Sequence, residues 1–310
     1  MPEGNALRGV RSVWVGVALA LVFTFVAAIT DGIIKYCASH FEAPQLFVFS
    51  GVLICLFCVT GSRWTGERLD WRTAHPIAMG LRSVCACVAV VGYYYAFKHL
   101  DFAEVFLFIG LAPLLSGVAA KPVLGEQVAG RSWLALGVAG VGVGLLFPGA
   151  TDGKLIGYVC ASVGVLTGTL SIVLSRYISQ REHRPMLLIF YPNVVISGAM
   201  LALLPFVYVP MAWIDVFWIT AYSLFMFLSR WLIVEAVKLV PAHFLTVMVN
   251  TQFIWMVMIG ALIFSEWPSE QVFAGALLLI AASVWVVREQ LVHAGAHGRP
   301  PSDQSAGSNP

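Results

Sequence analysis

Charged residues are scarce in this chain. Only 11% of the 310 residues are charged, whereas about 25% are charged in an ordinary soluble domain. The formal net charge is +2, and the basic residues are scattered, which excludes a nucleic-acid groove or another polyanion site. Hydrophobic residues make up 59% of the chain, and apolar runs of about 18 residues or more recur along its whole length. The composition therefore indicates an integral membrane protein with no soluble domain.

Motifs for catalysis and metal binding are also missing. The sequence has no His-Glu-x-x-His pair, no Gly-x-Ser-x-Gly elbow and no acids clustered beside a nucleophile. The six cysteines lie in apolar stretches, and none has a histidine at a ligand-like spacing. We interpret them as small core residues and predict neither a metal nor another cofactor. An enzyme is not predicted.

Long apolar runs divide the chain into ten predicted transmembrane helices, so the predicted fold is an all-α integral membrane protein. The runs lie near residues 12–36, 44–62, 76–98, 102–121, 130–148, 155–177, 185–207, 212–237, 241–264 and 269–289. With a cytoplasmic amino terminus, thirteen Lys and Arg residues lie on the inside and three on the outside. This bias predicts that both termini are cytoplasmic, in the cell membrane of a bacterium (the inner membrane).

The sequence also contains an internal repeat. A shift of 140 residues lays "AFKHLDFAE" onto "AVKLVPAHF" and pairs Glu126 with Glu266, and a shift of 141 pairs Lys35 with Arg176. Each half holds five predicted helices, an odd number, so the second half must enter the membrane inverted relative to the first. We predict two inverted five-helix repeats, at 12–148 and 154–290. Inverted repeats are typical of alternating-access carriers whose site lies near the middle of the membrane.

These duplicated features resemble the drug/metabolite transporter superfamily, EamA type. The resemblance rests on a basic residue closing the first helix of each half (Lys35, Arg176) and on "LGE" (124–126) and "FSE" (264–266) after the fourth. It covers about residues 12–290. The stretches "LRSVCACVAVVGYYYAFKHLDFAE" and "NTQFIWMVMIGALIFSE" are similar to the branch that includes carriers for S-adenosylmethionine and riboflavin. The resemblance implies a membrane transporter of small metabolites.

Two arginines lie inside predicted membrane helices, where a charge costs a few kcal/mol. Arg82 and Arg230 lie about 9 and about 12 Å from the same predicted inner surface, so they share one layer. A guanidinium there either binds a carboxylate or phosphate of a solute or bonds backbone carbonyls and headgroups. Glu235 lies about 140° around the helix from Arg230, so we do not expect the two to pair.

Aromatic and amide side chains occupy the predicted middle layer between the charged layers. Such a mixture suits a flat or amphipathic organic solute, although the rings can also serve helix packing. The candidate solute-binding residues are Arg82, Arg230, Tyr94, Asn193, Asn250, Gln252 and Trp255.

Acidic, basic and histidine side chains near the helix ends are candidates for gating or proton coupling. The set comprises Asp31, Lys35, Glu104, Glu235 and His243. Asp31 and Lys35, four residues apart, either form a local ion pair or contribute to a gate. His243 is either an interfacial residue or a proton relay. Glu126 and Glu266 are interpreted as helix caps or loop anchors.

The predicted function is a secondary active transporter that moves a small anionic or zwitterionic organic metabolite by alternating access. A broad-specificity drug or metabolite exporter is the alternative, and a channel or receptor is a further one. The expected partners are a small-molecule solute, the lipid bilayer and protons. Small-residue spacings at 140/144 and 164/168 indicate close helix contacts, either within one chain or at the seam of a homodimer. The polar stretch 291–310 is predicted to be a disordered cytoplasmic tail.

Overall fold

The computed structural model describes residues 3–65, 72–125, 130–147, 152–182, 184–239 and 248–297, and this part of the chain contains helices and no strand. The described helices are α1 (Glu3–Ala38), α2 (Ala43–Thr65), α3 (Pro76–His99), α4 (Phe102–Ile109), α5 (Ala112–Leu124), α6 (Gly130–Gly144), α7 (Asp152–Ser179), α8 (Pro185–Val207), α9 (Trp213–Leu239), α10 (Gln252–Ile263) and α11 (Glu270–His297).

Seven segments of the described chain are long and apolar enough to cross a membrane. They are Val15–Ala38, Ala43–Arg63, Pro76–His99, Phe102–Leu124, Gly153–Ser179, Met186–Val207 and Trp213–Ile233. Shorter apolar helices, Trp133–Gly144, Gln252–Ile263 and Glu270–Val286, lie at the three remaining predicted spans. The chain is thus a helical, multi-pass membrane protein, and the number of ten crossings stays a prediction.

Local sequence signals set several helix ends. Pro76 and Pro185 are the first residues of α3 and α8, where the missing N–H of proline costs no helical hydrogen bond. The helix α5 ends before Gly125, whose φ of 72° is a left-handed conformation that glycine adopts without strain. Asp101 and Glu104 form a capping box at the start of α4.

Four pairs of helices form the body of the bundle: α3 with α7, α1 with α9, α2 with α8, and α6 with α11. Glycines allow two of these pairs to approach closely. A Cβ on Gly92 of α3 would lie 2.8 Å from the carbonyl oxygen of Cys160 in α7. A Cβ on Gly142 of α6 would lie 2.9 Å from the carbonyl oxygen of Gly275 in α11.

The two predicted small-residue spacings have different outcomes. Gly164 and Gly168 of α7 pack within the chain, against Ala89 and Tyr93 of α3. A Cβ on Gly140 or Gly144 would meet no described atom within 4 Å, so that pair makes no close contact inside the described part of the chain.

The structure refines one predicted span and corrects one boundary. The span predicted at 102–121 is present as the apolar segment Phe102–Leu124, and its regular helical hydrogen bonding breaks between α4, which ends at Ile109, and α5, which begins at Ala112. Gly110 lies in the interruption, where a Cβ would be 2.7 Å from a methyl group of Leu279. In addition, α11 continues to His297, so the first part of the stretch predicted to be a disordered tail is helical, in keeping with its Leu and Ala content. Residues 298–310 lie outside the described part.

Candidate functional site

Two interrupted helices meet near the middle of the bundle. The first interruption separates α4 from α5 at residues 110–111, and the second precedes α10 at residues 250–251. Phe106, one turn before the first, and Phe253, just after the second, have ring centroids 5.1 Å apart. Gly110, Leu111 and Thr251 keep helical φ and ψ angles, so both breaks are local losses of regular hydrogen bonding. At the first break Pro113 lacks the N–H that would bond to the carbonyl oxygen of Ile109, and inside a membrane such a carbonyl is tolerated only in protein or at a polar cavity.

Asn250 lies in the second interruption and is 5% exposed. Both polar atoms of its amide, Nδ2 and Oδ1, are buried without a hydrogen-bond partner among the described residues. An unpaired buried amide costs about 1–3 kcal/mol, so a group that supplies its partners would stabilise this site. Asn250 was predicted from its polarity alone, and the structure now places it beside the break.

A hydrogen bond between Gln252 and Asp31 joins α10 to α1 directly after the second break. The side-chain Nε2 of Gln252 donates a hydrogen bond to Oδ2 of Asp31 at 2.9 Å. Lys35, one turn further along α1, forms an ion pair with Glu266 at 2.8 Å instead. The interpretation of Asp31 and Lys35 as a local ion pair is therefore wrong, because each has a different partner.

Arg82 and Arg230 lie close enough for their charges to repel each other. Nε and Nη1 of Arg82 are buried and have no hydrogen-bond partner among the described residues. Arg230 is exposed on the described part of the bundle, and Tyr222 of the same helix lies within electrostatic reach of it. The expectation that both arginines share one layer agrees with this proximity.

Tyr222 lies near both charged regions and Tyr93 lies near one of them, and neither was among the candidate solute-binding residues. Tyr222 of α9 lies within electrostatic reach of both Asp31 and Arg230, and Tyr93 of α3 lies within reach of Asp31. Tyr222 and Arg230 are eight residues apart, which corresponds to two helical turns along one face of α9. That spacing was the signal in the sequence that could have identified Tyr222.

Trp255 fastens α10 to α1. Its indole Nε1 donates to Oγ1 of Thr24 at 3.2 Å, and its ring lies edge-on to Phe25 at 5.1 Å between centroids. The hydroxyl groups of Thr24 and Thr251 are 3.2 Å apart. The polar edge of Trp255 is therefore used within the protein, and only its partly exposed ring face is left for a solute.

Tyr94 lies in other surroundings than the sequence predicted, whereas the predicted role of Asn193 stays a prediction. Tyr94 is fully buried, its hydroxyl donates to the backbone oxygen of Phe41, and its ring lies edge-on to that of Phe47. It is a core residue with no surface for a solute. Asn193 of α8 donates to the backbone oxygen of Ile189 at 2.8 Å, one turn back along the same helix.

A cluster of ion pairs lies at the end of the bundle that carries Lys35, Lys98 and Lys154, which we name the predicted outer end. Nζ of Lys35 contacts Glu266 and donates to the carbonyl oxygen of Leu100 at 2.6 Å. Glu266 also accepts a hydrogen bond of 2.8 Å from the backbone N–H of Phe102, the first residue of α4. Glu266 is thus both a helix cap and an ion-pair partner, which confirms its interpretation as a cap or loop anchor.

Glu104 belongs to the same cluster. Its carboxylate lies 2.9 Å from Nζ of Lys154, accepts a 3.4 Å hydrogen bond from Tyr158 and closes the capping box with the N–H of Asp101. Lys154 also contacts Asp101 at 2.8 Å. The carboxylate oxygens of Glu104 are therefore engaged by Lys154, Tyr158 and the helix cap.

Glu42, a fourth acid at the predicted outer end, lies between α1 and α2 rather than within a helix. The 2.5 Å hydrogen bond from Lys98 to Glu42 lowers the pKa of that carboxyl. Of the other gating candidates, His243 and the side chain of Glu235 lie outside the described residues, as does Glu126.

Comparison with known proteins adds three findings. Residues 14–147 match the model of the EamA-like transporter family. Two relatives, each named pseudopaline exporter CntI, come from Pseudomonas aeruginosa strains UCBPP-PA14 and PAO1. Each is 24% identical over 295 residues, which span 88% of this chain and 96% of the relative. A solved crystal structure without a functional description aligns at a TM-score of 0.59 and 13% identity, covering 91% of this chain and 99% of its own, and this likeness shows the fold alone.

Proposed function

Because this chain belongs to the drug/metabolite transporter superfamily, we propose that it is a secondary active transporter of a small anionic or zwitterionic organic metabolite. The solute binds between the two interrupted helices, and the halves of the chain rock around it to give alternating access. Since the relatives are named exporters, we propose export from the cytoplasm as the direction. The termini are proposed to be cytoplasmic.

The matched position of the two interruptions is the observation that carries this proposal. Residues 110–111 and 250–251 differ by 140, which is the shift that relates the two halves of the sequence. Interrupted helices at corresponding positions of two repeats are the best structural pointer to the substrate site of a carrier.

Helix packing supports the same symmetry. In order, the first five predicted spans correspond to the last five as follows: α1 to α7, α2 to α8, α3 to α9, α4 and α5 to α10, and α6 to α11. When each helix is replaced by its counterpart, the contact of α3 with α7 becomes the contact of α9 with α1. The contacts of α5 with α7 and of α3 with α8 likewise correspond to those of α10 with α1 and of α9 with α2. The contacts of α2 with α8, of α6 with α11 and of α4 with α10 each join two counterparts, so the exchange leaves them unchanged. This pattern is what two inverted repeats about a central axis would produce.

The charges of the site favour an anionic group on the solute. Arg82 and Arg230 repel each other across a layer of low polarity, and a carboxylate or phosphate between them would replace repulsion with two charge-assisted contacts. A guanidinium keeps its charge in such a layer and offers a fork of donors that fits either anion.

We propose Asp31 as the proton-coupling acid in preference to Glu104. Asp31 lies at the central site with one amide donor, whereas Glu104 is held by Lys154, Tyr158 and its own helix cap. At saturating solute, Asp31→Asn is expected to abolish uphill transport while solute exchange continues. If Asp31→Asn accumulates solute as steeply as the wild type, the coupling group lies elsewhere.

Counterflow in proteoliposomes tests the proposed function. Amino acids, organic acids, nucleosides and vitamins are first screened by thermal shift of the purified protein, since a bound solute raises the apparent stability. Vesicles loaded with the strongest unlabelled binder should then accumulate the labelled form transiently. Non-saturable flux without counterflow would indicate a channel, and binding without flux would indicate a receptor.

A further inference from the structure

We propose that the solute is an elongated zwitterion whose cationic group binds at Asp31 and whose anionic group binds between Arg82 and Arg230. This inference rests on the transporter function proposed above and narrows its solute class. It follows from three observations: an acid without a cation, two bases without an anion, and the spacing along α9 between Tyr222, which lies near Asp31, and Arg230.

The acidic pole of the site lacks a cation. Asp31 accepts one hydrogen bond, from the neutral amide of Gln252, and no described Lys, Arg or His lies within ion-pair distance of it. The basic residue nearest along α1, Lys35, is engaged by Glu266 and by the carbonyl oxygen of Leu100. A carboxylate in a layer of low polarity attracts a solute ammonium group more strongly than the same carboxylate does in bulk water.

The basic pole lacks an anion. Two nitrogens of Arg82 are buried without a partner, and no described carboxylate lies within ion-pair distance of Arg82 or Arg230. Unpaired donors on a buried guanidinium are costly, so they indicate a place that an anion fills during the transport cycle.

Positions along α9 indicate that the two poles lie at different levels of the bundle. Tyr222 lies within electrostatic reach of Asp31, and Arg230 follows it by eight residues, which is about 12 Å along the axis of α9. The length of the arginine side chain shortens this gap. A solute that reaches both poles therefore holds its two charges several bonds apart, further than the adjacent amino and carboxyl groups of an α-amino acid.

Uncharged polar groups accompany the charged ones. Both polar atoms of the Asn250 amide are buried without a described partner, two residues before Gln252, and Tyr222 lies within electrostatic reach of Asp31 and Arg230. A simple anion would leave Asp31 unpaired, and a simple cation would leave both arginines unpaired. A molecule with both charges compensates all three residues, and its backbone of amide or hydroxyl groups can bond to Asn250.

The test is binding of ω-amino acids of increasing length, from β-alanine to aminodecanoate, measured by calorimetry on the purified wild-type protein. Affinity should pass through a maximum at intermediate length. At that length the amino acid should bind about 10-fold or more tightly than the monocarboxylate or the monoamine of equal length, since each charged contact contributes about that factor.

Variants assign the poles. Asp31→Asn should reduce the affinity for the best ω-amino acid about 10-fold or more and leave the weak affinity for the monocarboxylate unchanged. Arg230→Gln should reduce both. Glu270→Gln, which removes an exposed acid at the start of α11, is the matched control and should change neither.

Three results would overturn the inference: equal affinity for the amino acid and the monocarboxylate, no dependence on length, or no binding of any member of the series. Each leaves the proposed transporter standing if counterflow is observed with another solute. Absence of counterflow, with zwitterion binding intact, would instead refute the transporter and keep the bipolar site.

Discussion

Replacing Arg230 with glutamine is expected to weaken solute binding by about 2–3 kcal/mol, which is roughly 30- to 150-fold in Kd. The estimate is the contribution of one charge-assisted hydrogen bond in a layer where Arg230 has no described carboxylate partner. Arg230→Lys should recover only part of the loss, because lysine keeps the charge but loses the planar fork of donors. Arg82→Gln should behave like Arg230→Gln, since both arginines face one anionic group.

Folding should survive these substitutions, because removing one of two mutually repelling charges lowers the cost of placing the helix in the membrane. The assay is solute affinity by calorimetry, with monodispersity in detergent as the control for folding. Arg63→Gln, at the exposed end of α2, is the matched variant and should bind as the wild type does. Unchanged affinity in well-folded Arg230→Gln and Arg82→Gln would show that the arginines are structural and would refute the reasoning.

Three further predictions concern packing, the predicted outer end and topology. Gly92→Ala should lower the thermal stability by about 1–3 kcal/mol, because its Cβ meets the backbone of α7; Gly80→Ala in the same helix has open space and should be neutral or stabilising, and equal effects would contradict this packing. Lys35→Gln and Glu266→Gln should each increase the rate at which an external thiol reagent labels a cysteine in the central site. The double variant should add little to either single variant, because the same ion pair is lost in all three; additive effects in a double-mutant cycle would argue against a shared contact. A cysteine placed at residue 152 should react with an impermeant thiol reagent on intact cells, and reaction only after permeabilisation would reverse the topology.

The sequence was sufficient for the class of fold and for the proximity of Arg82 and Arg230. The apolar runs, and the repeat that pairs Lys35 with Arg176 and Glu126 with Glu266, depend on composition and spacing, which the sequence shows directly. The interruptions at 110–111 and 250–251 were not predicted, because Gly110 and Asn250 lie in stretches whose hydropathy alone reads as continuous helix. Their significance depends on the two breaks lying at equal positions in the two halves.

The partners of individual side chains were harder to predict than the class of fold. Asp31 and Lys35 suit each other by helical spacing, yet each finds a better partner on another helix, Gln252 and Glu266. Tyr94 is a residue type that often binds solutes, but its position on α3 directs its side chain into the core, while its neighbour Tyr93 lies near Asp31. Such choices are made by tertiary packing, which a single sequence does not display.

Reciprocal accessibility of the central site tests alternating access most directly. In a protein freed of its native cysteines, Tyr222→Cys reports on the site, and cysteines in place of Lys35 and Glu266 allow a bifunctional thiol reagent to lock the predicted outer end. The account predicts that locking this end abolishes labelling of residue 222 from outside and raises its labelling rate from the cytoplasmic side. If the lock stops outside labelling and leaves the inside rate unchanged, the two ends open independently, and the alternating-access carrier is contradicted.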